Sequence, residues 1–261
     1  MSVDERMVHD IVQKVMANMQ ISGSVSGMHG VFKDMNDAIN ASIEAQKKVC
    51  TMTLDQREQI ISLIRKKTHE NAEILANMGV NETGMGNVGD KILKHHLTAD
   101  KVPGTEDIST IAWSGDRGLT LVEMGPFGVI GAITPATNPS ETVICNCIGM
   151  LAGGNTVVFN PHPNAKKTTI YTINMINEAS IEAGGPDNIA VTVEAPTLDT
   201  SAIMMKHPSI HLLVATGGSG VVTAVLSSGK RAIGACAGNP PVLVDETADI
   251  EKAARDILQG A

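Results

Sequence analysis

Aromatic residues are nearly missing from this chain, with one Trp, one Tyr and three Phe among 261 residues. A core built without large rings must be filled by small and flexible side chains, and 14 Met supply the flexible share. An excess of basic charge is missing too. Lys and Arg number 20 against 28 Asp and Glu, a formal charge of −8. That argues against a nucleic-acid partner, because phosphate contacts need a basic surface. No uninterrupted apolar run approaches the roughly 20 residues that span a bilayer, so no membrane partner is expected. Residues 1–20 have neither an apolar h-region nor a small-residue cleavage site and do not read as a secretory signal. The four cysteines, Cys50, Cys145, Cys147 and Cys236, include no CxxC pair and read as reduced thiols of a cytosolic protein. HExxH, a Walker A loop and GxSxG do not occur, and the SxxK match at Ser227–Lys230 lacks its SDN and KTG partners. His95-His96 and Cys145-Asn146-Cys147 have no second pair at a ligand spacing, so no metal is expected.

What is present is a chain long enough for one large domain or two small ones, with 43% apolar residues. Val3, Met7, Ile11, Val15 and Met19 recur every fourth residue with charged residues opposite, which predicts an amphipathic helix over 1–20. Residues 21–31 are rich in Gly and Ser and read as a flexible linker. A helical N-terminal region follows over 32–117. Its first stripe is Phe32, Met35, Ile39, Ile43 and Val49, and Thr53-Leu54-Asp55-Gln56 is a capping box opening a helix that should end near Gly79. Residues 81–117 show little pattern. Over 118–261 apolar runs alternate with helix-length segments. The strand-like runs are Leu119–Glu123, Gly128–Thr134, Thr156–Phe159, Ile189–Val193, Ile210–Ala215, Ala232–Cys236 and Val242–Val244. Such alternation predicts an α/β fold, a doubly wound parallel sheet of the Rossmann-like nucleotide-binding kind.

Four motifs bear on chemistry. Gly84-Met85-Gly86-Asn87-Val88-Gly89 matches GxGxxG but follows a long helix instead of a strand, so it reads as a helix-ending loop. Thr216-Gly217-Gly218-Ser219-Gly220 does follow a strand and precede a helix. Small residues there let a phosphate approach the helix N-terminus, although a plain strand-helix turn would tolerate the same glycines. Thr134-Pro135-Ala136-Thr137-Asn138-Pro139 sits at a strand's carboxyl end, where doubly wound sheets place ligands. Asn138 could donate to an oxyanion, while the motif alone reads first as an Asn-Pro turn. Asn160-Pro161-His162-Pro163 is a rigid turn at another strand end, suited either to an adenosine pocket or to structure alone.

Together these pieces resemble the aldehyde dehydrogenases. Gly125–Pro139 looks like the segment ending in their oxyanion-hole asparagine, Gly153–Pro161 like their cofactor-contacting strand, Thr216-Gly217-Gly218 like the turn before their pyrophosphate-facing helix, and Gly238–Pro241 like the segment after their general-base glutamate. Order and spacing match across about 35–260. The resemblance implies a NAD site formed by Thr134, Pro135, Asn160, Pro161, His162, Thr216, Gly217, Gly218 and Ser219. It also implies Asn138 as the oxyanion donor.

Two departures select a subfamily. Hydrolytic members carry a glutamate where Gly234-Ala235-Cys236-Ala237 stands here, with Ala235 nearest the glutamate position. A thiol acceptor needs less activation than water, so the chain resembles the CoA-acylating aldehyde dehydrogenases. Asn160 stands where hydrolytic relatives commonly have lysine, which leaves NADP open beside NAD. The implied reaction has a cysteine thiolate attack a short-chain aldehyde, acetaldehyde or propionaldehyde, while Asn138 holds the oxyanion. Hydride passes to NAD, and coenzyme A, the co-substrate, displaces the acyl group. The resemblance places the nucleophilic cysteine beyond Ala261, so the 261 residues alone are expected to be inactive, and a full-length protein to be a homo-oligomer. Cys236, among Gly234, Ala235 and Ala237 at a strand end, is the one tempting substitute for that thiol, but it reads first as a buried cysteine used as a small apolar residue. Members from bacterial microcompartments carry a similar detached helix as an encapsulation signal, which implies a shell or cargo partner for residues 1–20 and a cytoplasmic location inside such a compartment. The alternative reading is a non-catalytic truncated cargo or interaction module.

Overall fold

The computed structural model describes residues 27–236, 238 and 241–260. The amphipathic helix expected over 1–20 lies outside them, as does most of the linker.

Six parallel strands form the sheet: β1 (Val31–Phe32), β4 (Val129–Thr134), β5 (Thr156–Pro161), β6 (Ala190–Val193), β7 (Ile210–Thr216) and β8 (Arg231–Ala235). Their order is β1-β6-β5-β4-β7-β8. The expected doubly wound sheet is therefore present. The central strands read as unbroken apolar runs because both faces are covered. Val157 and Phe159 enter one core with α2 (Leu54–Thr83), α4 (Pro139–Ala152) and α5 (Lys166–Glu182). Val158 enters the other, with α1 (Met35–Val49), α6 (Leu198–Lys206) and α7 (Ser219–Leu226). From β4 the chain winds outward through β5 and β6, then returns to β7 on the other side of β4. The order reverses there, and the carboxyl ends of β4 and β7 flank the crevice where such folds hold ligands.

The helical region does not stand apart from this body. The linker expected through residue 31 is already built in by its last residues: His29 Nδ1 lies 2.8 Å from Asp187 Oδ2, and Gly30 and Phe32 accept backbone bonds from Thr192 and Glu194. Gly30 has φ +76, and a Cβ there would lie 2.4 Å from the Ala190 carbonyl, so only glycine fits. On α1, Gln46 donates to the Gly154 carbonyl at 2.8 Å and accepts from the Thr156 amide at 2.7 Å, which ties the helix to the start of β5.

Helix α2 opens with the expected capping box, Gln56 N donating to Thr53 Oγ1 at 3.2 Å and Thr53 N to Gln56 Oε1 at 2.9 Å. Thr53→Ala should cost about 1 kcal/mol of stability, measured by urea unfolding. The helix runs one turn past Gly79 and stops at Gly84, whose φ of 69 is the left-handed cap conformation. The GxGxxG match is thus the end of one helix and the start of the next.

Three expectations fail. Residues 81–117 are more regular than their weak pattern suggests: α3 (Val88–Lys101) continues the helical region, and β2 (Ile111–Gly115) departs from it. The buried face of α3 is Lys91, His95, Thr98 and Ala99, so it has almost no hydrophobic period to detect. The strand expected at Leu119–Glu123 exists as β3 (Gly118–Val122), but it pairs antiparallel with β2 in a separate exposed hairpin. No crossover helix separates it from β4, and parallel neighbours require one. Val242–Val244 forms no strand, and Leu243 is 93% exposed. Among the described residues no strand edge receives it. The last described helix is α8 (Ile250–Gly260).

Candidate functional site

At the switch point lies a cleft of about 660 Å³. Its wall is built from strand ends. Thr134 and Pro135 come from β4, Asn160, Pro161 and His162 from β5, and Thr216, Gly217 and Gly218 from the β7–α7 turn. All eight were candidate cofactor residues from sequence. Ser219, the ninth, is the first residue of α7, and Asn138 directly follows the lining residue Thr137. Sequence reasoning did not single out Thr197, Leu198, Ser201 and Val221, which also line the cleft. The Thr197/Thr200 capping box, which marks a helix beginning beside this strand end, was the available signal.

The end of α7 has the features of an anion site. Its cap residue, Gly218, offers no side-chain bond, so the amides of Ser219 and Gly220 lack partners within the helix. A Cβ at Gly217, Gly218 or Gly220 would meet no atom within 4 Å, and none of these glycines has a positive φ. Neither packing nor backbone conformation therefore requires glycine. What the glycines leave is open space before a helix N-terminus, which suits a phosphate. No Asp, Glu, Lys or Arg lines the cleft among the described residues, so the dipole of α7 is the main fixed charge a pyrophosphate would meet.

The β5 end is held differently. Asn160 is buried, and its amide is spent on α6: Nδ2 donates to Ser201 Oγ at 2.7 Å and Oδ1 accepts from Thr200 Oγ1 at 2.6 Å. It shapes the wall by fixing α6 to β5. Thr134 is also buried, and its hydroxyl has no hydrogen-bond partner among the described residues. An orphaned hydroxyl in a cleft wall is unusual for a purely structural position.

The cysteines divide. Cys145 and Cys147 lie on α4 outside the cleft lining. Burial pushes both thiols up, Cys147 furthest. Cys236 corrects an expectation: it is exposed and lines the cleft. It follows β8, an edge strand whose residues are largely open, so small neighbours alone do not bury it. Its neighbour Ala235 pairs with Thr216 across β7 and β8, so a strand end bearing no carboxylate flanks the glycine turn. The two histidines of the His95-His96 pair go separate ways. His95 Nε2 contacts Ser140 Oγ at 2.8 Å in the interior, and His96 meets His69 outside.

Comparison with known proteins agrees with this geometry. The aldehyde dehydrogenase family matches residues 17–261. The chain is 47% identical over 267 residues to an acetylating acetaldehyde dehydrogenase of Bilophila wadsworthia, which spans 98% of this chain and 55% of that protein. It is 47% identical over 232 residues to a CoA-propanoylating propanal dehydrogenase of Salmonella typhimurium, covering 89% and 50% respectively. A solved propionaldehyde dehydrogenase, from the Clostridium phytofermentans fucose utilisation bacterial microcompartment, superposes with TM-score 0.86 at 73% identity, over 89% of this chain and 53% of its own. The chain spans about half the length of the relatives it matches. A parallel sheet with its cleft at the switch point, and a family match over nearly the whole chain, place this protein in the aldehyde dehydrogenase family.

Proposed function

We propose that this chain is the dinucleotide-binding part of an NAD-dependent, CoA-acylating aldehyde dehydrogenase acting on acetaldehyde or propionaldehyde. The observation that carries the reading is the cleft itself, with the open, uncapped N-terminus of α7 on one wall and no carboxylate among its described lining residues. The first feature suits a pyrophosphate. The second suits an acyl acceptor that needs no general base, which a thiol is and water is not. A nicotinamide dinucleotide held there supplies the hydride acceptor. The residues of this chain bind and orient: Ser219 and Gly220 offer amides, Asn160 and Thr200 fix the β5 wall, and Asn138 donates to the carbonyl oxygen as charge develops on it. Neither Cys145 nor Cys147 is placed to attack, and the nucleophile is expected in the part of the relatives' length that this chain does not span. Calorimetric titration with NAD tests the reading, with one site per chain expected. Without any binding of NAD or NADP the cleft would need another ligand.

We also propose that residues 1–20 carry the protein into a bacterial microcompartment through a shell or cargo partner. The apolar stripe Val3, Met7, Ile11 and Val15 supports this, as does the microcompartment source of the solved relative. A segment this short is marginal as an isolated helix and orders best when its stripe is covered. Fused to a fluorescent reporter in a cell making the matching compartment, residues 1–20 should give puncta. Ile11→Glu with Val15→Glu should disperse them, and Asp10→Ala with Lys14→Ala should not. Diffuse signal from the unmodified fusion would rule out encapsulation through this segment.

A further inference from the structure

The turn carrying Asn138 is gripped by one face of α3. Lys91, Lys94 and His95 stand at i, i+3 and i+4, the spacing of a single helix face, and each reaches the Thr137–Glu141 segment. Lys91 Nζ donates to the Thr137 carbonyl at 2.9 Å and to Glu141 Oε1 at 3.3 Å, with the two side chains only 4% and 7% exposed. His95 is fully buried, its Nδ1 2.6 Å from the Lys91 carbonyl and its Nε2 2.8 Å from Ser140 Oγ. A carbonyl only accepts, so Nδ1 carries a proton. Ser140 Oγ stands between Nε2 and Glu141, donating to Glu141 Oε2 at 3.2 Å. Burial pushes the imidazole below its ordinary value. Lys94 Nζ lies 3.5 Å from Asn138 Oδ1.

Two features set this arrangement apart from ordinary packing. A buried Lys–Glu pair is a poor way to attach a helix, since apolar side chains of similar size stabilise at least as well. This pair also holds the carbonyl immediately before Asn138. In addition, Asn138 occupies the N-cap position of α4 yet makes no side-chain capping bond, the usual use of asparagine there. Its oxygen is turned to an ammonium instead. An ammonium can be met only by the amide oxygen, so the contact sets which way the amide faces and leaves Nδ2 on the side away from Lys94.

We propose that α3 is the positioning device for Asn138, with Lys94 orienting the amide and Lys91, Glu141, His95 and Ser140 fixing the backbone of its turn. This rests on the reading of Asn138 as an oxyanion donor. These are positioning residues, acting through Asn138.

The test is a double-mutant cycle in the full-length enzyme that carries this chain. Lys94 is exposed, so Lys94→Met does not disturb the interior. It should lower kcat on the order of tenfold, with KM for the aldehyde and the Kd for NAD unchanged, and Lys94→Arg should recover most of the loss. In an Asn138→Ala background Lys94→Met should be silent, because the amide it orients is gone. The same pattern is expected of Lys91→Met combined with Glu141→Leu, which removes the buried pair without leaving a lone charge. An unchanged kcat in Lys94→Met overturns the proposal, as does an equal loss in the Asn138→Ala background. If Asn138→Ala alone leaves kcat unchanged, the oxyanion reading falls and this proposal falls with it.

Discussion

Asn138→Ala in the full-length enzyme is expected to lower kcat by about 10²–10³, with KM for the aldehyde nearly unchanged, measured by steady-state production of NADH. The size follows from when the bond forms. An amide donor aimed at a developing oxyanion acts on the transition state more than on the bound aldehyde, so its loss falls on kcat. Among the described residues its side chain makes no capping bond, and its one hydrogen bond is to the exposed Lys94 at 3.5 Å. Stability by urea unfolding should therefore stay within ~0.5 kcal/mol. A fall in stability together with kcat would assign Asn138 to structure and remove it from the reaction.

The second large effect is expected at the glycine turn. Gly218→Val should weaken NAD binding by more than about tenfold. The side chain would fill the space before Ser219 and Gly220, and each charge-assisted amide bond to a phosphate contributes about 1.5–3 kcal/mol. The fold should tolerate the change. Gly218 has φ −67 and ψ 156, a conformation valine adopts readily, and a Cβ there meets nothing within 4 Å. A Tm at or above that of the unchanged protein, together with lost binding in calorimetry, is the expected pair of results. Undiminished binding would move the pyrophosphate away from α7.

The sheet was legible in the sequence because β4 and β5 are covered on both faces. Covered strands must be apolar along their whole length, as Val157-Val158-Phe159 is. The strand-end residues of the cleft were legible because strand ends followed by Gly or Pro are few and stand out, whereas Thr197, Leu198, Ser201 and Val221 carry no such mark. Helix α3 was hidden because its inward face is Lys91, His95 and Thr98, and hydrophobic period reports only apolar burial. Strand β1 was hidden because two residues carry no alternation. Val242–Val244 shows the opposite failure: β-branched apolar content makes a segment willing to be a strand, but pairing is what makes it one, and it stays unpaired although β8 presents an open edge. Cys236 was misjudged for a related reason. Its burial depends on what covers edge strand β8, which no local sequence pattern encodes.

The most direct test of the acylating reading is the identity of the acyl acceptor in the full-length enzyme. Acetaldehyde and NAD are supplied with and without coenzyme A, and the products are resolved as acyl-CoA or free acid. The β8 end at Ala235 bears no carboxylate, and no Asp or Glu lines the cleft among the described residues. Turnover should therefore require coenzyme A and yield acyl-CoA, with the free acid slower by about 10²–10⁴, the contribution typical of a general base. Equal turnover to the free acid without coenzyme A would contradict the acylating assignment.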